Sequence, residues 1–93
     1  MNSYDVIVGA NNDTHVVEVD RIIEITSRYY DKYIVIPNVI SIENGKREDL
    51  TIVIVTSDEP RLVHYCEMMR QELEQREVAY RLASRIKSVV GQA

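Results

Sequence analysis

The sequence predicts one α+β domain whose elements follow the order βαββαβ. Three observations carry that expectation. Val and Ile dominate the apolar residues, Phe and Trp are absent, and the β-branched residues gather in short runs that favour strands. Two longer stretches repeat their apolar residues at helical spacing. The strongest helix-start signal, Ser57-Asp58-Glu59-Pro60, directly follows the most apolar run in the chain. At 93 residues, positions 1–93 fit a single domain and are too few for two.

Tyr4–Gly9 is the first strand, and it stops at the turn formers Gly9-Ala10-Asn11-Asn12-Asp13. At about 100° per residue, Val19, Ile22, Ile23, Thr26, Tyr29, Tyr30 and Tyr33 fall on one side of a helix. Asp20, Arg21, Glu24, Ser27, Arg28, Asp31 and Lys32 fall on the other, so this is an amphipathic first helix. Residues His15–Val19 have two readings: the opening of that helix, capped by Asp13 or Thr14, or a strand hairpinned onto the first. The helix is preferred because Val16 and Val19 continue the apolar stripe.

Ile34–Ile36 and Val39–Ile42 form a second strand interrupted by Pro37, which places it at a sheet edge or in a bulge. Glu43-Asn44-Gly45-Lys46 is a hairpin turn, since Asn-Gly supplies the positive φ angles. Leu50–Thr56 returns as a third strand. Its four consecutive Ile and Val residues suggest burial on both faces and a central position. In the helix that begins at Ser57-Asp58-Glu59-Pro60, Leu62, Tyr65, Cys66, Met69 and Leu73 form one stripe. Continued as a single helix, Ala79, Leu82, Ile86 and Val89 would be rotated by roughly 120° from that stripe. A break near Gln75–Glu77 removes the conflict. Val78–Leu82 then becomes a fourth strand and Ser84–Val90 a short terminal helix.

This order resembles the split βαβ arrangement of ferredoxin-like domains. The expected architecture is a ferredoxin-like βαββαβ two-layer sandwich with a short C-terminal helix. The alternative is βαββα with one long C-terminal helix that serves as a dimerisation arm. The resemblance implies that the first and third strands are central and parallel and the second and fourth are edges. It also implies that both helices share one face of the sheet, leaving the other to carry apolar side chains toward a partner.

Composition narrows the function. The single cysteine, Cys66, cannot form an internal disulfide, which argues against an oxidising compartment. The opening MNSYDVIVGANND lacks the basic and apolar regions of a signal peptide, and the longest apolar run falls far short of a membrane span. A cytoplasmic location with no membrane partner is the expectation. A formal net charge of −4 argues against nonspecific nucleic-acid binding.

No catalytic or metal-ligating pattern stands out. His64 and Cys66 are two positions apart on a helix and point away from each other, and His15 has no neighbouring ligands at zinc spacing. Two groups of residues remain as binding candidates. The loops 9–14 and 56–60, expected at the same end of the sheet, offer Asn11, Asn12, Thr14, Ser57 and Asp58 beside two helix N-termini to a small anion or metabolite. As ordinary turns and caps, the same residues need no ligand. Tyr29, Tyr33, Tyr80 and Leu82 are the candidate interface residues, because tyrosine suits half-buried, half-wet contacts. The resulting expectation is a small non-enzymatic homo-oligomeric interaction or regulatory module without cofactor or metal. The alternative is an anion- or metabolite-binding sensor using the two loops.

Overall fold

The computed structural model describes residues 1–11, 14–83 and 91. It is a small α+β fold with a four-stranded antiparallel sheet and two helices. In chain order these are β1 (Asn2–Gly9), α1 (Val19–Ser27), β2 (Ile34–Glu43), β3 (Lys46–Ser57), α2 (Glu59–Glu72) and β4 (Ala79–Leu82). The sheet order is β2-β3-β1-β4, so the strand containing Pro37 is an edge and the most apolar strand is central. The chain breaks after α2, with Glu74 at φ 53, and β4 follows as a strand rather than more helix. The expected terminal helix at 84–90 lies outside the described residues.

Among the described residues, the core occupies one side of the sheet. Along β1, Tyr4, Val6 and Val8 are buried; along β3, Thr51, Val53, Val55 and Ser57 are buried. Ile22 and Ile25 of α1 and Leu62, Tyr65, Cys66 and Met69 of α2 complete the cluster, joined by Tyr30 and Leu73. Alternation along each strand sends the intervening residues to the opposite face. The expectation that β3 is buried on both faces is therefore corrected: Ile52 and Ile54 remain partly exposed.

Two hydroxyl relays fasten the helices inside this core. Thr26 Oγ1 donates its only proton to the Ile22 carbonyl at 2.7 Å, so the 2.6 Å contact with Tyr65 must be donated by the tyrosine hydroxyl. Tyr30 donates to Ser57 Oγ at 2.9 Å, and Ser57 in turn donates to the Asp58 carbonyl at 2.8 Å. The first relay ties α1 to α2. The second ties the segment after α1 to the end of β3.

Three sequence expectations change. The pairing of β1 with β3 is antiparallel, not parallel, with Asn2 opposite Ser57 and Gly9 opposite Leu50. The physical reason is the hairpin: β3 reverses out of β2, and the crossover through α1 had already made β2 run with β1. Residues 15–18 are not helical, and α1 begins at Val19. There the chain closes a local loop instead, with Asn11 Oδ1 accepting from Thr14 N and Thr14 Oγ1 accepting from Val16 N. His15 sits at φ 59 in this loop. Finally, α1 ends at Ser27, short of Tyr29, Tyr30 and Tyr33.

Candidate interaction surface

The face of the sheet turned away from the helices is built in rows, because residues paired across strands share a face. One row crosses the sheet as Arg81, Asp5, Ile54 and Ile34; the next as Ala79, Ile7, Ile52 and Ile36. Ile34 is 58% exposed and Ile36 41% exposed. Polar pairs border these rows: an Arg81–Asp5 ion pair at 3.1 Å between β4 and β1, and a Ser3–Thr56 hydroxyl contact at 3.3 Å across β1 and β3 at one end of the sheet. The apolar half thus adjoins the β2 edge. Among the described residues, no helix packs against it: the buried side chains of both helices belong to the core on the other face.

The β2–β3 hairpin runs on past the end of β1. Its turn closes at Asn44 and Gly45, with φ 51 and 76, the positive-φ pair expected from Asn-Gly. Register shifts between Ile36 and Val39, a bulge that takes up Pro37 and Asn38, with Asn38 at φ 58. Both readings of Pro37, edge and bulge, therefore hold at once. Beyond the bulge, Ile40 and Ile42 are 52% and 70% exposed.

The loop residues expected to share a ligand do not converge. With β1 and β3 antiparallel, the loop after Gly9 and the loop after Thr56 leave opposite ends of the sheet, roughly 23 Å apart over the seven steps from the Asn2–Ser57 pair to the Gly9–Leu50 pair. Asn11 and Thr14 belong to the first loop, where they hold each other's backbone. Asn12 lies outside the described residues. At the other end, Ser57 is buried and engaged in its relay, and Asp58 caps α2 by accepting from Arg61 N at 2.9 Å.

The expected interface residues are also split. Tyr29 packs between His64 and Tyr65, and the Tyr33 hydroxyl reaches the Ile23 carbonyl at 3.5 Å. Both line an open groove of about 460 Å³ together with Lys32 and Arg61, and Arg61 is engaged by the Tyr29 carbonyl and the Tyr30 ring. Tyr80 and Leu82 are opposite Val6 and Tyr4, which puts them on the helix side of β4 rather than on the open face. The Tyr80 ring meets Tyr4 edge-on at 5.9 Å, and its hydroxyl donates to Glu59 at 3.3 Å. Loss of solvent and the nearby Glu59 carboxylate raise its pKa.

The residues that sequence reasoning missed are Ile7, Ile34, Ile36, Ile52 and Ile54. Their signal was present: Ile52 and Ile54 alternate with the buried Val53 and Val55, so one parity of the same run had to face away from the helices.

Cys66 is buried, and loss of solvent pushes its thiol up to about 11. Near neutral pH it is therefore not a nucleophile. Among the described residues no group of three metal-ligating side chains comes together, and no helix is long and apolar enough to cross a membrane. No protein-family model, no curated protein and no solved structure matches the chain.

Proposed function

We propose that this chain is a ferredoxin-like interaction module that acts by self-association rather than by catalysis, with the open sheet face covered by a second copy. One observation carries the reading. Two adjacent rows place five isoleucines, Ile7, Ile34, Ile36, Ile52 and Ile54, on a face that neither helix covers. Contiguous apolar surface of this kind marks an interaction site in a small protein. The polar rim supports the same reading, since the Arg81–Asp5 pair borders the patch toward β4 and the Ser3–Thr56 contact borders it at one end of the sheet, as an interface rim does.

Native mass spectrometry of the purified chain at tens of micromolar tests it. A discrete oligomer is expected, and Ile52→Glu should lower its mass while leaving the far-UV circular dichroism unchanged. A monomeric wild type sinks the proposal. An oligomer indifferent to Ile52→Glu removes the sheet face from it.

A further inference from the structure

The outer edge of β2 carries a second surface. Among the described residues β2 has a neighbour on one side only, β3. Edge strands are normally guarded by proline, charge or a bulge. Here Pro37 and the bulge after Ile36 guard the first half of β2, whereas Val39–Glu43 follows without proline and with two exposed isoleucines.

The turn geometry fixes which backbone groups are free. A two-residue turn closes on a hydrogen-bonded pair, here Glu43 with Lys46. Hydrogen-bonded and non-hydrogen-bonded pairs then alternate along an antiparallel ladder. Ser41 opposite Glu48 is hydrogen-bonded inward; Ile42 opposite Arg47 and Ile40 opposite Asp49 are not. The N–H and C=O groups of Ile40 and Ile42 therefore point outward, on the same two residues whose side chains are 52% and 70% exposed.

We propose that the segment Val39–Glu43 pairs antiparallel with the same segment of a second copy, about a two-fold axis at Ser41. That register sets Ile40 opposite Ile42 of the other copy, twice. It satisfies all four outward backbone pairs and brings four isoleucines together on the helix side of the sheet, the face opposite Ile52 and Ile54. One feature favours a second copy over a foreign strand. The register is self-complementary, apolar to apolar at both positions.

The edge contact rests on the self-association proposed above and adds to it a defined pairing through a second surface.

Two variants test the edge. Ile42→Pro removes an outward N–H and takes nothing from the β2–β3 ladder, so the fold should survive while the native mass falls to a dimer or below. Ser41→Cys places two thiols across the axis, in the close non-hydrogen-bonded pair whose spacing suits a disulfide. It should form a crosslinked dimer in air about tenfold faster than the control Asp49→Cys, which lies on the inner strand. An unchanged mass in Ile42→Pro, or crosslinking of Ser41→Cys no faster than the control, overturns the edge contact. A monomeric wild type overturns self-association itself and the edge contact with it. An oligomer that Ile52→Glu splits but Ile42→Pro does not retains the sheet face and refutes the edge alone.

Discussion

The buried Thr26–Tyr65 relay makes a prediction that depends on the direction of a hydrogen bond. Thr26 has one hydroxyl proton, and the Ile22 carbonyl 2.7 Å away takes it. Tyr65 must then be the donor across the 2.6 Å contact, and both residues are fully buried. Thr26→Val keeps the β-branched shape but strands a buried phenolic donor, which costs about 2 kcal/mol. Tyr65→Phe leaves Thr26 still donating to Ile22 and removes only an incoming donor, which costs about 1 kcal/mol. The double variant strands nothing, and its cost should also be near 1 kcal/mol, well below the sum of the singles. Urea titration of all four proteins measures these values, provided the slope m stays constant. For a domain of this size each 1 kcal/mol is also about 4–8 °C in Tm. If Tyr65→Phe costs as much as Thr26→Val, or if the two effects simply add, the assigned donor direction is wrong.

Three further outcomes follow from single side chains. Thr51 Oγ1 is buried with no hydrogen-bond partner among the described residues, so Thr51→Val should stabilise by about 1 kcal/mol; a loss of stability would reveal a partner for it. The Cys66 thiol titrates near 9 when exposed and near 11 in the fold, so the unfolded chain loses its proton first as pH rises. Stability should therefore be fully present below pH 9 and fall by up to about 3 kcal/mol between pH 9 and 11; a Cys66→Ala variant with an equally steep alkaline loss would show that another group is responsible. Asp58→Ala removes the acceptor for Arg61 N at the start of α2 and should cost about 1 kcal/mol in the same urea assay, whereas no change would mean that water replaces the cap.

Much of the fold was legible because local chemistry specified it. Asn44-Gly45 names its turn type, and the observed φ angles of 51 and 76 are those the pair supplies. Ser57-Asp58-Glu59-Pro60 carries a cap, an acid and a proline in helix-start order, and α2 begins there with Asp58 as its cap. The rotation between the stripe of Leu62, Tyr65, Cys66 and Met69 and the later apolar residues was a geometric conflict that only a break could relieve, and β4 follows that break. The start of α1 was not legible, because Asn11 and Thr14 satisfy backbone N–H groups within their own loop and Val16 is left exposed instead of extending the stripe.

The placement of the candidate sites was not legible for a different reason: each depended on relations between strands that no single segment encodes. Whether the loops after β1 and β3 meet is decided by strand direction, which follows from the β2–β3 hairpin and not from either loop. Antiparallel pairing separates them, and with them Asn11 from Ser57. Parity is the second relation. Val78–Leu82 shows its alternation plainly, yet which face Tyr80 occupies is settled only by its register opposite Val6, a core residue. The same register argument, applied to Ile52 and Ile54 opposite Ile7 and Asp5, finds the open face. A continuous apolar run is thus ambiguous between a strand covered twice and a strand covered once whose second face awaits a partner. The helices here settle that ambiguity. With a two-helix layer on one side only, the isoleucine parity of β3 has no cover within the described fold, and the edge that adjoins it is the one with free backbone groups at Ile40 and Ile42. Face and edge share a strand pair but lie on either side of the bulge at Pro37, so each surface can be removed without the other, the face by Ile52→Glu and the edge by Ile42→Pro.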